Sequence, residues 1–470
     1  MASPCQVYHG LAVSLRLTGA VAAGKAVAYA SRLLGLGGGT VLPGRVARWI
    51  FPPVLEHLAA GLEQVVVVSG TNGKTTTARL LARMLETGGV PAVHNRAGAN
   101  LQAGLVASLV LASDVRGRPC RRAGVFEVDE ATLPTVVDAL RPRVVVLTNL
   151  FRDQLDRYAE LERVAEGWRR TLGRLPSAVV CYNADDPQVA DVAQAAGRRV
   201  AFGIQDPSAG RSALEEAADV RYCYRCGVAY RYEVVFLSHA GHYGCPSCGW
   251  SRPVPEVRAE RVTVRGTSGF EVELAWGGER LALRSRLPGL YNVYNVLAAA
   301  AAARCLGLSG DVVRQATESV APAFGRGERL AWGGVTLQIL LVKNPAGFNE
   351  VLRLVVPERP RALLLAIHDR TADGRDVSWL WDVEFEQLRG LDAHITVSGI
   401  RAEDMALRLK YAGWPEDKTT VEKDLVRALR RARESTPPGE VLFCLPTYTA
   451  MLELRRILAR AGAVAPFWED

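Results

Sequence analysis

The sequence lacks the marks of a secreted or membrane-spanning protein. Its nine cysteines are scattered, apart from one tight group of four, which is unlike a secreted disulfide framework and favours the reduced cytoplasm. No small-residue cleavage site follows a clean apolar run, so we expect no signal peptide. Arg16 and Lys25 interrupt the apolar stretch 11–30, which favours an amphipathic helix over a transmembrane one. We expect this helix to pack on the next domain or to lie on an anionic membrane surface.

Internal repeats and low-complexity tracts are also missing, apart from one alanine-rich helix. The 470 residues are too many for one ordinary core, and a content of 49% hydrophobic and 23% charged residues is typical of globular domains. The net charge of +8 permits an anionic partner such as a nucleotide, a nucleic acid or a membrane, but selects none of them. We therefore expect two or three globular domains.

Residues 65–77 contain a glycine-rich turn between a predicted strand and a predicted helix. Four valines at 65–68 predict a buried parallel strand, and residues 78–85 predict the helix. The turn is a candidate phosphate loop, formed by Gly70, Thr71, Asn72, Gly73, Lys74, Thr75 and Thr76. In such a loop, backbone N–H groups face the anion, Lys74 adds positive charge and the Thr75 hydroxyl can bind Mg²⁺. An ordinary glycine-rich turn is the alternative, but strand, glycines, lysine, threonine and helix all occur in the required order.

Predicted strands and helices alternate from residue 65 onward. Strands are predicted at 65–68, 123–128, 144–148 and 178–182, with helices at 102–112 and 133–140. This alternation predicts a parallel sheet covered on both faces. Polar stretches at 127–130, 148–156 and 183–187 follow three of these strands. Open α/β sheets bind ligands at such strand ends, so we expect an oxygen-rich Mg²⁺ site there, although each carboxylate alone is also suited to cap a helix or turn.

Four cysteines form two C-x₂-C pairs separated by eighteen residues, namely Cys223, Cys226, Cys245 and Cys248. This spacing is typical of tetrahedral zinc sites with four thiolates. A closed four-cysteine site has no open position for catalysis, so we predict a structural zinc ribbon inserted at about residues 220–255. Two disulfides or free thiols are the alternative. His239 and His242 lie between the pairs and are interpreted as bystanders.

The last part of the chain again alternates between strands and helices. Strands are predicted at 336–341, 362–367, 393–398 and 441–444, and helices at 347–354 and 402–411. Before this region, Asn292 and Asn295 open the alanine-rich helix, where they are suited to bind a ligand or to cap the helix. Arg326 lies in a glycine-interrupted basic turn and is a candidate phosphate contact. The stretch 366–382 has four aspartates and two tryptophans, which indicates a site, a partner surface or an ordinary acidic turn before a helix.

These motifs resemble the Mur ligase superfamily, which includes the folylpolyglutamate synthases. The ATP and Mg²⁺ motifs of those enzymes, beyond the phosphate loop, match Glu127, Asn149, Asp153, Asp156, Asn292, Asn295 and Arg326. Within the superfamily the chain is similar to the MurT family, the ligase-like subunits of lipid II isoglutaminyl synthases. The four-cysteine insertion and the stretches 343–349 and 369–382 carry that similarity. Gln154 and Lys343 depart from the wider ligase pattern, which favours a lipid-linked substrate.

The resemblance implies an α/β fold in three parts. An N-terminal helical segment is expected at 1–60. A Mur ligase-like, parallel-sheet ATP-binding domain is expected at 61–322 with the zinc ribbon inserted in it, and a Rossmann-like α/β domain at 323–470.

The resemblance also implies an ATP-dependent amidation in peptidoglycan synthesis. ATP phosphorylates the α-carboxylate of D-glutamate in the lipid II stem peptide, and ammonia then displaces phosphate to leave D-isoglutamine. Lys74 and Arg326 would neutralise the charge of phosphoryl transfer, while Thr75 and Glu127 would hold Mg²⁺. Lys74 and Glu127 are therefore catalytic candidates, and a third, Asp369, follows from the implied partner.

A partner is implied as well, because the chain shows no convincing glutaminase nucleophile. Ammonia would come from a GatD-like glutaminase in a heterodimer, and lipid II would be met at the inner face of the membrane. One aspartate of the last domain would orient the catalytic histidine of the partner, and we choose Asp369 over Asp373 and Asp376.

Two other functions remain open from the sequence. One is a ligase of the folylpolyglutamate type that adds an amino acid directly and turns over without a glutaminase. The other is an ATPase whose zinc ribbon binds nucleic acid, although we expect no nucleic acid as partner. That alternative requires a basic, aromatic face around the ribbon, for which the candidates are Tyr222, Tyr224, Arg225, Tyr230, Arg231 and Tyr232.

Overall fold

The structure is a computed structural model that describes residues 15–33, 41–95, 99–152, 158–215, 218–322 and 325–464. The α-helices in these ranges are α1 Leu15–Leu33, α2 Leu42–Ile50, α3 Val54–Ala59, α4 Lys74–Thr87, α5 Gln102–Leu111, α6 Leu133–Leu140, α7 Tyr158–Gly173, α8 Pro187–Val192, α9 Leu290–Cys305, α10 Gly310–Ser319, α11 Pro345–Val355, α12 Ala402–Tyr411, α13 Leu425–Glu434 and α14 Tyr448–Arg460.

The strands in the same ranges are β1 Gln64–Ser69, β2 Ala92–His94, β3 Ala123–Glu127, β4 Val144–Leu147, β5 Val179–Asn183, β6 Arg198–Ile204, β7 Arg231–Leu237, β8 Ala240–Gly244, β9 Val257–Val264, β10 Phe270–Trp276, β11 Glu279–Ser285, β12 Arg326–Trp332, β13 Val335–Leu340, β14 Ala362–Ala366, β15 His394–Ser398, β16 Thr419–Val421 and β17 Val441–Pro446. They form a nine-stranded sheet, a six-stranded sheet and the hairpin β7–β8.

The nine-stranded sheet has the order β11-β10-β9-β6-β5-β4-β1-β3-β2. The seven strands β9, β6, β5, β4, β1, β3 and β2 run parallel to one another. Strands β10 and β11 extend the sheet beyond β9 as an antiparallel meander. Val65 and Val67 of β1 pack into the core under α5 and α6, and Val66 and Val68 pack into the opposite core under α4 and α9. The run of valines therefore lies buried between two layers of helices, as expected for a parallel strand.

The six-stranded sheet has the order β12-β13-β17-β14-β15-β16, with only the edge strand β12 antiparallel. One face carries α11 and α12 and the other carries α13 and α14. We call this sheet with its helices, from Gly325 onward, the C-terminal unit, and the described residues up to Pro322 the central unit. Because both sheets are mainly parallel, each collects its strand-end side chains along one edge.

A buried cluster of charged and polar side chains joins the two units beside α11. Glu215 of the central unit accepts hydrogen bonds from Asn349 at 3.1 Å and from Arg353 at 2.8 Å. Arg353 also binds Glu384 at 3.1 Å. Burial of Glu215 opposes its ionisation, but the charges of Arg353 and Arg211, together with the hydrogen bonds from Asn349 and Arg353, lower the pKa of the carboxyl. These contacts fix α11 and the residues that precede it against the central unit.

The predicted fold class is confirmed by this architecture. The predicted strands coincide with β1, β3, β4, β5, β13, β14, β15 and β17, with ends that differ by no more than two residues. The apolar stretch 11–30 forms α1 where it is described, and no helix in the described ranges is long and apolar enough to cross a bilayer. The proposed domain limits stay predictions.

Candidate active site

The phosphate loop between β1 and α4 is held by the end of the neighbouring strand β4. The backbone N–H of Thr71 donates to the carbonyl of Asn149 at 3.0 Å, and that of Asn72 donates to the Asn149 side chain at 2.8 Å. The Thr148 hydroxyl donates to the carbonyl of Asn72 at 2.8 Å. The loop is thus shaped by residues that follow a different strand, about 75 positions further along the chain.

Two glycines allow this loop to turn tightly. Gly70 and Gly73 have φ angles of 136° and 85°, which side chains rarely adopt. A Cβ on Gly73 would lie 2.1 Å from the side-chain oxygen of Asn295, and one on Gly70 would lie 2.1 Å from the hydroxyl of Thr148. The glycines therefore leave the backbone open to a phosphate and keep the loop pressed against its supports.

Lys74 is the buried cation of the loop. Its Nζ donates to the carbonyls of Gly70 and Thr71, the latter at 3.2 Å, and forms an ion pair with Glu130 at 2.9 Å. The two side chains are only 8% and 13% exposed. Burial of the adjacent Asp129 carboxyl raises its pKa, and the negative charge of Glu130 raises this pKa further. The sequence showed only that acidic residues follow β3, so it did not predict that Lys74 pairs with Glu130.

Thr75 and Glu127 bring two oxygen atoms together at the N-terminus of α4. The Thr75 hydroxyl donates to Glu127 Oε2 at 2.6 Å. Glu127 is 3% exposed, and Asn95 fixes its backbone with hydrogen bonds of 2.7 and 2.8 Å. A hydroxyl and a carboxylate at this position fit the oxygen ligands that Mg²⁺ prefers. The predicted pair of magnesium ligands is therefore brought together by the fold.

Arg326 reaches the site from the C-terminal unit. It begins β12, and its burial lowers the pKa of the guanidinium while the nearby negative charge of Glu127 opposes that shift. A half-buried cation beside Glu127 is suited to an anionic ligand between the two units. Its role as a phosphate contact stays a prediction.

Asn292 and Asn295 lie behind the phosphate loop. The side-chain oxygen of Asn295 faces Gly73 and accepts a hydrogen bond from Thr77 at 3.3 Å, and its amide donates to Asn292 at 2.8 Å. Asn292 in turn donates to the carbonyl of Pro288 at 2.7 Å. Neither residue is the N-cap of α9, which is Gly289. In the structure both amides support the loop, and their predicted contact with a nucleotide stays a prediction.

Lys343 and Asn344 bring the C-terminal unit onto the loop, which sequence reasoning missed. Lys343 Nζ donates to the carbonyl of Thr71 at 2.9 Å, and the side chains of Asn344 and Asn72 pair at 3.2 Å. Asn344 also caps α11, where a proline follows it. An asparagine before a proline, directly after a buried strand, was the available signal for a strand-end site.

Asp153, Gln154 and Asp156 lie outside the described residues, so their predicted roles stay predictions. The aspartates of the stretch 366–382 are described. Asp373 accepts a hydrogen bond from the backbone of Thr449, and Asp376 from that of Ser378, both at 2.8 Å. Asp376 thus helps to build its own loop, and Asp373 fixes that loop to the start of α14.

Asp369 differs from these two aspartates because its partner is a surface side chain. Its carboxylate accepts a hydrogen bond from Arg401 Nε at 2.8 Å, and Arg401 is 37% exposed. The residue follows β14 at the same edge of the sheet as Lys343. The predicted role of Asp369 toward a partner stays a prediction.

The sulfur atoms of the four predicted zinc ligands lie within 4.8 Å of one another, namely Cys223, Cys226, Cys245 and Cys248. The two closest contacts between sulfurs measure 3.4 and 3.6 Å. Thiolates bound to zinc at about 2.3 Å in a tetrahedron lie about 3.8 Å apart, so the cluster fits zinc closely. Tyr230 and Tyr243 beside it are buried against each other with ring centroids 5.2 Å apart. This packing removes Tyr230 from the aromatic face that a nucleic-acid-binding ribbon would need, whereas Tyr222 and Tyr224 are 62% and 42% exposed.

Comparison with known proteins agrees with this geometry. The family model described as Mur ligase middle domain matches residues 68–243, and the model described as MurT ligase C-terminal matches residues 341–451. A solved pseudomurein peptide ligase type C from Methanothermus fervidus has a similar fold, with a TM-score of 0.65, 21% identity, and coverage of 85% of this chain and 79% of that one. The fold and the phosphate loop thus define a protein of the Mur ligase superfamily.

Two curated relatives specify the family. The chain is 31% identical to the MurT subunit of the glutamine-hydrolysing lipid II isoglutaminyl synthase of Streptococcus pneumoniae, over 90% of this chain and 93% of that protein. It is 32% identical to the corresponding MurT subunit of Staphylococcus aureus, over 92% and 95% of the two chains. The chain belongs to the MurT family.

Proposed function

We propose that this chain is the ATP-using subunit of a lipid II isoglutaminyl synthase. It would amidate the α-carboxylate of D-glutamate in the lipid II stem peptide with ammonia from a GatD-like glutaminase. The observation that carries the proposal is the phosphate loop, where Lys74, Thr75 and Glu127 converge under Lys343 of the C-terminal unit. The similarity to the MurT subunits over most of their length supports the choice of substrate.

The reaction needs an activated carboxylate, since a carboxylate is a poor electrophile. ATP transfers its γ-phosphoryl group to the carboxylate oxygen, which gives an acyl phosphate and ADP. Ammonia then attacks the acyl carbon, phosphate leaves, and one proton of the nitrogen is released to form the amide. Lys74 and Arg326 would oppose the negative charge that builds up around the transferring group.

The Mg²⁺ that accompanies the nucleotide would be held by Thr75 and Glu127. This ion neutralises phosphate charge when bound. To serve as ligands, the Thr75 hydroxyl and the Glu127 carboxylate would exchange their mutual hydrogen bond for contacts to the ion. The backbone of Glu127 is already fixed by Asn95, so little reorganisation of the strand end is needed. Zn²⁺ would be held separately, by the four cysteines, in a structural role.

The location of lipid II sets where the enzyme would work. In lipid II, a soluble head that carries the stem peptide is joined to a lipid in the bilayer. A protein at the inner face of the membrane can reach this head. We therefore place the chain in the cytoplasm, at that face, in a heterodimer with its glutaminase.

The proposal is tested by co-expression of the chain with a GatD-like glutaminase. The purified complex should convert lipid II to its D-isoglutamine form only when both ATP and glutamine, or ATP and ammonium, are present. A product that gains an amino acid instead, without the glutaminase, would show that the chain is a ligase of the folylpolyglutamate type. Mass spectrometry of the stem peptide separates the two outcomes.

Asp369→Asn should uncouple the two halves of the complex. A carboxylate that orients the partner's histidine sets its tautomer and stabilises its cation, so the asparagine should lower glutamine hydrolysis by about 10²-fold. Amidation with free ammonium should stay at the native rate, because the phosphate loop is unchanged. Asp376→Asn is the matched control and should leave glutamine hydrolysis intact. Retained hydrolysis in Asp369→Asn would remove this residue from the role.

A further inference from the structure

The outer face of α1 is apolar but is not covered by the described part of the protein. Leu15, Tyr29 and Leu33 are 91%, 67% and 70% exposed. The exposed residues along this face follow helical spacing and are all small or apolar, namely Leu15, Gly19, Ala22, Ala26, Tyr29 and Leu33. The neighbouring helix α2 continues the pattern with Leu42 and Trp49, which are 52% and 85% exposed. A helix that only packs on its own domain would carry polar residues on this side.

The charge of this region has one sign. All 49 acidic residues of the chain lie after residue 55, whereas five cations precede it, namely Arg16, Lys25, Arg32, Arg45 and Arg48. These five lie on α1 and α2, and in the part of the chain that the structure describes none of them pairs with a carboxylate. On α1 the cations flank the apolar face, since Arg16 and Lys25 are about a quarter turn to either side of it. An apolar stripe between rows of cations is complementary to an anionic interface.

The same helices adjoin the phosphate site through α5. At the start of α2, Gly44 packs so closely on α5 that a Cβ there would lie 1.8 Å from the carbonyl oxygen of Ala103. Just before α5, the carbonyl of Ala99 accepts a hydrogen bond of 2.9 Å from Asn95, the residue that fixes Glu127. Only one helix therefore separates the apolar surface from the strand end where the substrate carboxylate would react.

We propose that the outer faces of α1 and α2 dock on the anionic cytoplasmic surface of the bilayer. Leu33, Tyr29 and Trp49 would enter the boundary between headgroups and acyl chains, and the arginines would contact anionic phospholipid headgroups. The inference rests on the proposed function, because an enzyme that acts on lipid II gains from being held where that lipid lies. Docking through this surface would present the phosphate site to the stem peptide close to the membrane.

The test is co-sedimentation of the full chain, with its glutaminase, with vesicles of defined composition. We expect binding to vesicles of phosphatidylcholine with phosphatidylglycerol at least about tenfold stronger than to phosphatidylcholine alone, and weaker in high salt. Leu33→Ser with Trp49→Ser, and separately Arg45→Glu with Arg48→Glu, should each lower this binding about tenfold or more. Tyr411→Ser, which alters a 68% exposed aromatic residue of the other unit, and Arg456→Glu with Arg460→Glu on α14 should bind as the native chain does.

Several outcomes would overturn the inference. One is that the native protein does not bind anionic vesicles, and another is that the variants of α1 and α2 bind them as well as the native chain does. A third is that these variants lose binding of the glutaminase or of a second copy of the chain instead. ATP- and ammonium-dependent amidation of a water-soluble stem-peptide substrate is measured on the same samples. If all variants keep this reaction but none binds vesicles differently, the docking surface is wrong while the proposed function stands. Failure of the native complex in that reaction removes the proposed function instead.

Discussion

Lys74→Ala should lower ATP-dependent amidation by about 10⁴-fold. A cation placed at the transferring phosphoryl group is worth about 10³ to 10⁵ in rate, and Lys74 is the buried cation of the loop. Its burial and its hydrogen bonds to the carbonyls of Gly70 and Thr71 hold it in place before any nucleotide arrives. Release of ADP and formation of the amide, both measured on the complex with saturating ammonium, check the expected loss.

The control for this variant must separate chemistry from stability. Removing Lys74 also leaves Glu130 without its ion pair at 2.9 Å, so the alanine variant should melt somewhat below the native chain. Lys74→Gln keeps a donor near the loop without the charge and should be as inactive as alanine. Lys410→Ala removes an exposed lysine of α12 and should be fully active. If Lys74→Ala folds and retains a tenth of native turnover, the loop is not where the phosphoryl group is transferred.

Cys223→Ser should abolish zinc binding and unfold the ribbon. Structural zinc in small metal-binding domains contributes about 10 to 16 kcal/mol, as much as the whole stability of a typical domain. The damage should spread beyond the ribbon, because Arg225 binds Asp191 of α8 at 3.1 Å and stacks over Trp250 at 3.7 Å. Zinc content by mass spectrometry and thermal melting with and without a chelator measure both effects.

Cys120→Ser is the matched control for the ribbon. Cys120 lies outside the four-sulfur cluster, so its serine variant should keep one zinc ion per chain and the native melting temperature. Native protein that is purified without zinc, or a Cys223→Ser variant that melts like the native chain, would contradict the structural role. Disulfides in place of the metal would instead be detected as a loss of free thiols.

The sequence was sufficient for features whose signal is local. The valines of β1 indicated a strand buried on both faces, and the spacing of the cysteines indicated a cluster that the fold assembles. The resemblance to the Mur ligases predicted Thr75 of the phosphate loop and Glu127 at the end of β3 as joint Mg²⁺ ligands, and the two side chains contact each other at 2.6 Å. In each case a short pattern determines the structure that it forms.

The contacts that were missed join distant parts of the chain. Lys343 binds the carbonyl of Thr71 across 272 positions, and no local pattern specifies which strand end of one sheet will meet a loop of another. For Asn295, the position near the loop was predicted, but the orientation of the side chain was not. The side-chain oxygen faces Gly73, and this orientation depends on the packing of α9 on α4.

In the proposed reaction, the strand order of the C-terminal sheet determines how far ammonia would travel. Lys343 follows β13 and Asp369 follows β14, and a single strand, β17, separates them. Neighbouring strands are about 4.8 Å apart, so the two strand ends are about 10 Å from each other. A glutaminase seated at Asp369 would release its product a few molecular diameters from the acyl phosphate. Over so short a path, ammonia would arrive at the acyl carbon before it is protonated or lost to bulk water.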